Sequence, residues 1–397
     1  MSISAPRNNF TFVMLAAATL VSVRHSAILL GPDASTAVLS GLPPIGIYVL
    51  FAVSGYLVAG SWRRRPGAGR YLVERAARIF PGLIAVVLVT VFLVGPLTSE
   101  FAVDAYLRDV GTWEYLLNLL LNPQYGLPGV FWQNSWSAAV NGVLWSIPAQ
   151  VLAYLTVPLV GLARRGTPRA LTWLVLAAAV AVASLLPETH DVIVWGNAMQ
   201  PVCDILPCFF VGAALRELPR SPGAWVGVPA LVAYTAITVF SPEPIHLASW
   251  VLLPVAAVGI GRSSFPVIRS AGRWGNPAFG VFLTGFLIQQ VLIAGFGNST
   301  AWVSLVLTLV LAFAFGSILL VMVERPTIRL VQRWTRGEPA VAAAAAPSGE
   351  ASAFGEPTAP GDASEHTEAS ARPDAGAQPE PAAPSQATAQ VAGGRPD

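Results

Sequence analysis

Long apolar runs recur along the chain and predict its secondary structure. Each run holds roughly 20 residues, the length that a helix needs to cross the hydrocarbon core of a membrane, which is about 30 Å thick. The fourth and sixth runs contain proline, which membrane helices tolerate because neighbouring groups bond to the freed backbone. The ten predicted spans are residues 10–30, 44–61, 79–98, 143–163, 170–187, 200–216, 224–241, 245–261, 277–297 and 300–323. The pattern predicts an all-α integral membrane protein with about ten transmembrane helices.

The arginine residues predict the orientation of these helices. All 23 basic residues are arginine, and they cluster in every second loop and after the last span, as in "RRRPGAGR" at 63–70. Short loops rich in Lys or Arg stay in the cytoplasm, so this alternation places both termini there and requires an even number of spans. Only 11% of the residues are charged, against about 25% in soluble proteins. We therefore expect a multi-pass protein of the inner (plasma) membrane.

The last part of the chain has a different composition. Residues 337–397 are rich in Ala, Pro, Gly and Ser, and hold nine acidic residues and two arginines. Such a segment buries too little apolar area to offset the entropy of ordering it, so we expect a disordered cytoplasmic tail. The predicted organisation is a transmembrane domain over residues 1–336 and a tail over residues 337–397.

Two ionisable residues, Arg24 and His25, interrupt the first apolar run. If the helix begins near Phe10, His25 lies about 22 Å along it, in the outer half of the bilayer. Arg24 is about 100° away around the helix and can extend towards the outer headgroups. Ionisable residues inside a membrane are costly and usually functional, which makes His25 a candidate for chemistry. The alternative is an interfacial histidine with no chemical role.

The surroundings of His25 resemble the membrane acyltransferase family called acyltransferase 3. Its members transfer acyl groups, commonly acetyl or succinyl, to hydroxyls of sugars, antibiotics and cell-envelope polymers. The segments that carry the resemblance are "NNFTFVMLAAATLVSVRHSA" (8–27), "GIYVLFAVSGYLVAGSW" (46–62), "YLVERAARIFPGL" (71–83), "VNGVLWSIPAQVLAYL" (140–155), "GRWGNPAFGVFLTGFLIQQ" (272–290) and "VERPTIRL" (323–330). The resemblance spans residues 8–330 in family order and implies that His25 lies at the acyl end of the site.

Four positions depart from the family pattern by losing an ionisable group. Thr11 and Met14 stand where the family usually has Asp and Arg, and Gln150 and Gly285 stand where it usually has Glu and His. Positions 14 and 25 are eleven residues apart, close to three helical turns, so they share a face about 16 Å apart. In the family this stripe resembles a track from the cytoplasm, along which the arginine contacts the phosphate end of the donor. Met14 cannot donate a charged hydrogen bond.

Acyl transfer to a hydroxyl needs a base near the nucleophile and donors for the developing oxyanion. An unperturbed imidazole titrates near pH 6.5, so His25 is the candidate general base. The candidate substrate-binding residues are Asn141, Trp145, Ser146 and Gln150. The alternative for each is polar packing between membrane helices.

Arg75 and Arg78 match the basic motif before the third span and are the candidate ligands for acyl-CoA. Arginine suits bidentate contacts with phosphate, and acyl-CoA carries phosphates. The alternative is that these residues only set topology and contact anionic lipid. The number and spacing of Cys203 and Cys208 suggest no metal site, and nothing in the chain resembles a nucleic-acid site.

Two functional hypotheses remain open at this point. The first is an O-acyltransferase that moves an acetyl-type group from cytoplasmic acyl-CoA to a hydroxyl of a carbohydrate or cell-envelope acceptor, with membrane lipids as further partners. The second is a catalytically silent member of the same fold that binds lipid-linked glycan or acyl-CoA as a scaffold or conduit. The four lost charges favour the second hypothesis, and the retained His25 favours the first.

Overall fold

The computed structural model of the chain describes residues 8–31, 43–163, 169–241, 245–297 and 301–336. The tail predicted for residues 337–397 lies outside the described residues, so its disorder stays a prediction. Within the described ranges the chain is almost entirely helical, with one two-stranded antiparallel ribbon.

The helices follow one another with mostly short connections, except that 31 residues, which include a 3₁₀ turn over Tyr115–Leu120, join α6 to α7. Their bounds are α1 Phe10–Leu29, α2 Ile45–Arg64, α3 Ala68–Val89, α4 Gly95–Thr98, α5 Val103–Arg108, α6 Val110–Glu114, α7 Ser146–Ala163, α8 Arg169–Leu185, α9 Met199–Glu217, α10 Ala224–Phe240, α11 Ile245–Arg262, α12 Pro266–Arg269, α13 Ala278–Phe296, α14 Ala301–Leu319 and α15 Arg325–Arg336. The strands are β1 Ile193–Val194 and β2 Asn197–Ala198. Wide π-turns over Thr90–Val94 and Leu320–Glu324 join α3 to α4 and α14 to α15.

Each of the ten predicted spans coincides with a helix, because a long apolar run has no other way to satisfy its backbone in lipid. Among the described residues, six helical segments are long and apolar enough to cross a membrane: Phe10–Leu29, Ile45–Arg64, Ala68–Thr98, Ile245–Arg262, Ala278–Phe296 and Ala301–Thr335. Helices α7, α8 and α10 have shorter apolar stretches, and α9 is more polar. The count of ten crossings and the cytoplasmic position of the termini stay predictions.

Two helices extend well beyond their predicted ends. Helix α3 begins at Ala68, eleven residues before the predicted start at 79, and the last helical segment continues to Arg336 rather than 323. The added residues are rich in arginine, a good helix former that an apolar-run criterion passes over. These two basic extensions pack against each other through α3 and α15.

Apolar side chains cover much of the outer surface of the bundle. Helix α8 exposes Leu171 and Val175, and α14 exposes Val303, Val306 and Val310. A water-soluble protein rarely exposes such continuous apolar faces, whereas lipid solvates them. The protein is therefore a multi-pass membrane protein.

Helix α2 lies at the centre of the bundle, in contact with α1, α7, α9 and α11. Its approach to α9 depends on glycine: a Cβ atom at Gly55 would lie 2.0 Å from the carbonyl oxygen of Phe209, and one at Gly212 would lie 2.1 Å from that of Ala52. Small residues allow backbones of membrane helices to approach closely. This contact brings the middle of α9 beside the middle of α2.

A buried polar network joins α1 to α13 and α14. Ser26 Oγ donates to Gln289 Oε1 at 2.5 Å, and Thr308 Oγ1 donates to the same oxygen at 2.8 Å. Gln289 Nε2 in turn donates to Ser304 Oγ at 2.9 Å. Satisfied networks of this kind fix helices in one arrangement. The network holds the C-terminal part of α1 in place, including His25, which precedes Ser26.

Candidate functional site

The residue before Ser26 is His25, which lines the larger of two adjoining cavities formed by the described helices. This cavity, called here the His25 cavity, has a volume of about 260 Å³. Helices α1, α2, α9 and α13 and the start of α7 form its walls. Its polar and aromatic lining residues are Arg24, His25, Trp145, Ser146, Asp204 and Phe282. The sequence left open whether Arg24 and His25 face the same environment, and both line this cavity.

The imidazole of His25 is held from one side only. Its ring packs edge-on against Phe286, with centroids 5.1 Å apart and an interplanar angle of 76°. Its Nδ1 atom is buried and has no hydrogen-bond partner within the part of the chain that the structure describes. Phe286 and the adjoining Ser26 network therefore fix the position of the ring, which lines the His25 cavity.

Asp204 supplies the carboxylate of the His25 cavity, and the sequence analysis did not select it. Tyr48 donates its hydroxyl hydrogen to Oδ2 of Asp204, and Nδ1 of His246 lies 3.4 Å from Oδ1. The indole N–H of Trp250 donates to the backbone carbonyl of Asp204 at 2.7 Å. Three helices, α2, α9 and α11, thus hold this carboxylate in place.

A signal for Asp204 was present in the sequence. It is the only Asp or Glu inside the ten predicted spans, and an acidic residue within a membrane helix is a functional candidate. Its partners Tyr48 and His246 are distant along the chain, so no local motif marked it.

The second cavity, called here the Arg78 cavity, is smaller, with a volume of about 80 Å³. Most of its wall is apolar, and its polar side chains are Ser54, Arg78, Ser146, Gln150 and Tyr154. Gln150 Nε2 donates to Ser54 Oγ at 3.2 Å, and Ser54 Oγ lies 3.1 Å from the hydroxyl of Tyr154. Ser54, which precedes Gly55 in the Ser-Gly motif of α2, therefore contacts both Gln150 and Tyr154.

Arg78 carries the positive charge of this second cavity. Its Nη1 atom lies 3.7 Å from Oε2 of Glu324, which is fully buried in the π-turn before α15. Arg78 itself remains partly exposed. The ion pair orients the guanidinium without enclosing it, so Arg78 can still contact an anionic group.

The two cavities share part of their lining. Ile47, Ser146 and Phe282 belong to both. Ser146 is the first residue of α7, and its hydroxyl donates to the carbonyl of Val143 at 2.8 Å. These three side chains form the wall that the two cavities share, so a molecule in the Arg78 cavity lies next to the His25 cavity.

Two of the predicted site residues line neither cavity. Asn141 is fully buried and donates from Nδ2 to the carbonyl of Leu283 at 2.9 Å, which ties the loop before α7 to α13. The Arg75 guanidinium lies 5.7 Å from the ring centre of Tyr71 and 5.9 Å from that of Tyr154. The predicted ligand roles of these two residues stay predictions, and the remaining five predicted residues line the cavities.

The substituted positions also have defined surroundings. Met14 lines the Arg78 cavity, and its sulfur lies 3.1 Å from Nδ2 of Asn276. A Cβ atom at Gly285 would lie 2.6 Å from Ser22 Oγ, so α1 occupies the space that a side chain there would need. Both positions are thus in contact with residues of neighbouring elements, Met14 with Asn276 and Gly285 with Ser22.

No metal site accompanies these cavities: within the described ranges, no group of three or more His, Cys, Asp or Glu residues is placed to hold an ion.

Comparison with known proteins identifies the type of fold. A family model described as an acyltransferase domain matches residues 15–324. No solved structure gives a significant match to the chain.

Two of the three curated relatives described next are named as an acetyl or acyl transferase. An O-acetyl transferase of Shigella phage Sf6 is 23% identical over 298 residues, which cover 72% of this chain and 86% of the relative. The acyltransferase MdmB of Streptomyces mycarofaciens is 25% identical over 329 residues, covering 74% and 82%. Nodulation protein 10 of Rhizobium leguminosarum bv. viciae is 30% identical over 170 residues, covering 39% and 44%.

Proposed function

The chain belongs to the acyltransferase family whose model matches residues 15–324, and is an acyltransferase that transfers groups other than aminoacyl groups; we propose that it transfers an acetyl-type group from acyl-CoA to a hydroxyl. The acceptor is a carbohydrate or another cell-envelope component, and the protein acts in the inner (plasma) membrane. The observation that carries this proposal is the pair of adjoining cavities. One holds His25, the other holds Arg78, and Ser146 belongs to both.

In this proposal the donor binds at the Arg78 cavity, which at about 80 Å³ has room for only a small part of acyl-CoA. Arg78 contacts a phosphate of acyl-CoA, because a guanidinium that is oriented by a carboxylate still has donors for an anion. The thioester end then reaches the wall formed by Ile47, Ser146 and Phe282. The apolar character of this cavity suits an acyl chain and its thioester, which carry no charge.

The acceptor occupies the His25 cavity. His25 takes the proton of the acceptor hydroxyl as the oxygen attacks the carbonyl carbon of the thioester. The tetrahedral intermediate collapses, the carbon–sulfur bond breaks, and the CoA sulfur receives the proton from the imidazolium. The indole N–H of Trp145 is a side-chain donor of the His25 cavity for the developing oxyanion, whereas Ser146 can donate only if it releases its hydrogen bond to the Val143 carbonyl.

The neutral residues at positions 14 and 150 also fit the second candidate, a silent family member that binds acyl-CoA or lipid-linked glycan without turning it over. Binding and turnover separate the two. Purified protein in lipid nanodiscs is titrated calorimetrically with acetyl-CoA, and release of CoA thiol is followed with and without lipid-linked glycan. Binding with thiol release supports the enzyme, binding alone supports the silent member, and absence of both contradicts the donor assignment.

A further inference from the structure

Asp204 has no role in the proton transfer derived above, yet the fold holds it firmly at the wall of the His25 cavity. We propose that Asp204 binds hydroxyl groups of a neutral carbohydrate acceptor and so positions the reacting hydroxyl towards His25. This inference rests on the proposed function and deepens it, because it names the residue that selects the acceptor.

The carboxylate keeps free acceptor capacity on both oxygens. Tyr48 donates one hydrogen bond to Oδ2, and His246 lies 3.4 Å from Oδ1. Each carboxylate oxygen has about two lone-pair sites, so one site on each oxygen remains for another donor. The Asp204 side chain is 14% exposed and lines the cavity, so these sites are open to a molecule bound there.

The partners of Asp204 fix its orientation before any ligand binds. Tyr48 is almost completely buried, and the Trp250 indole N–H holds the Asp204 backbone carbonyl at 2.7 Å. A polar group that is already oriented costs little entropy when a ligand arrives. This arrangement suits recognition better than a loose surface carboxylate.

The remaining lining indicates a neutral, polyhydroxylated ligand. Arg24 and Asp204 are the two lining residues with formal charge at neutral pH, and their charges cancel. Trp145 and Phe282 contribute aromatic surface, which packs on the apolar faces of a sugar ring. Donor and acceptor groups beside aromatic walls are what the hydroxyls and C–H faces of a sugar require.

The test compares two acceptors that differ in their number of hydroxyls. Methyl α-D-glucopyranoside offers several hydroxyls, whereas cyclohexanol offers one on a ring of the same size. Transfer of labelled acetyl from acetyl-CoA to each is measured for the wild type and for Asp204→Asn, which keeps the shape and removes the charge. Asp191→Asn, an exposed acidic residue in the loop between α8 and α9, is the matched control.

Asp204→Asn should lower kcat/KM for the glucoside by about 10- to 100-fold, mainly through KM, because a hydrogen bond to a charged group is lost. Its kcat/KM for cyclohexanol should stay within about 3-fold of the wild type, since that acceptor leaves no second hydroxyl for Asp204. Tyr48→Phe removes one hydrogen bond to the carboxylate and should show a smaller loss of the same selectivity. If Asp204→Asn does not fold, Tyr48→Phe decides.

Equal losses on both acceptors would show that Asp204 only ties α2, α9 and α11 together, and would overturn the inference. Unchanged kinetics on both acceptors would overturn it as well. A wild type that releases CoA into water but never acetylates the glucoside contradicts the acceptor assignment alone, whereas a wild type that leaves acetyl-CoA intact contradicts the proposed function itself.

Discussion

The contact between α2 and α9 provides a sharp test of the fold around the site. A Cβ atom at Gly55 would lie 2.0 Å from the Phe209 carbonyl oxygen, a backbone atom that can move only if one helix shifts. Overpacking of this kind typically costs 1–3 kcal/mol and at times more, and the immobile partner leads us to expect about 3 kcal/mol for Gly55→Ala. The Ser-Gly motif of α2 therefore has a packing reason for its glycine.

Gly285→Ala is the matched comparison. Its Cβ atom would lie 2.6 Å from Ser22 Oγ, but the serine hydroxyl can rotate away. The next closest atom to this Cβ atom is Ser22 Cβ, at 3.6 Å. The cost is then the weak hydrogen bond from Ser22 Oγ to the Ala18 carbonyl, about 1 kcal/mol. In the double variant Ser22→Ala/Gly285→Ala the close contact is absent. Adding Gly285→Ala to Ser22→Ala should therefore leave the free energy of unfolding almost unchanged.

The difference in cost between Gly55→Ala and Gly285→Ala is measured by thermal unfolding of the purified variants in one detergent. The fraction of protein that stays monodisperse reports the extent of unfolding. At about 2–4 °C per kcal/mol, Gly55→Ala should unfold about 5 °C below Gly285→Ala. Equal midpoints for the two variants would refute the argument, because the α2 and α9 backbones could not then be in contact. A midpoint for Gly55→Ala equal to that of the wild type would refute it outright.

Three further predictions concern topology, the tail and the donor side. Gly67→Cys, made after both native cysteines are replaced, places a thiol where a side chain meets open space. This thiol should not react with an impermeant reagent added to intact cells, and labelling from outside would contradict the predicted orientation. Deletion of residues 340–397 should leave the unfolding midpoint unchanged, and a large decrease would show that the segment packs on the membrane domain. Met14→Arg should tighten acetyl-CoA binding by about 10-fold if the Arg78 cavity accepts phosphate, whereas a buried unpaired charge would instead reduce membrane insertion or stability. Calorimetric titration and detergent yield distinguish these results, with Phe12→Arg, on the exposed side of the same helix, as the control for the added charge.

The sequence predicted the helices well because the membrane restricts the choices of the backbone. A run of about 20 apolar residues in lipid must form a helix, so helices at the ten predicted spans could be recognised from local pattern alone. Their ends were less predictable where arginine-rich residues continue the helix, as in the first eleven residues of α3. These extensions are stabilised by contacts between α3 and α15, which are distant in sequence.

Residue type does not reveal packing partners, so the sequence could not show which of the predicted site residues meet in a cavity. His25, Trp145 and Ser146 line the larger cavity as a functional interpretation requires. Asn141 and Arg75 have equally suitable chemistry, but a buried carbonyl and two tyrosine rings occupy them. Which polar residues are used for packing depends on contacts between distant helices, which local patterns do not encode.

Asp204 is the opposite case, a residue that no motif marked and that the fold places at the His25 cavity. It matched no motif, yet it was the only carboxylate within the predicted spans, and the fold brings it to the cavity that holds His25. The cost of placing a carboxylate in a membrane was a better guide than the motif, because that cost applies wherever the residue lies in the chain.

The most direct test of the account is the rate of acetyl transfer by His25→Ala beside that of His190→Ala. His190 lies exposed in the loop between α8 and α9, so it controls for the loss of a histidine without touching the cavities. A positioned general base contributes about 10²- to 10⁴-fold, so His25→Ala should lose that much in kcat while its acetyl-CoA affinity and unfolding midpoint stay near those of the wild type. Turnover by His25→Ala equal to that of His190→Ala would contradict the assignment of His25 as the base and, with it, the proposed mechanism.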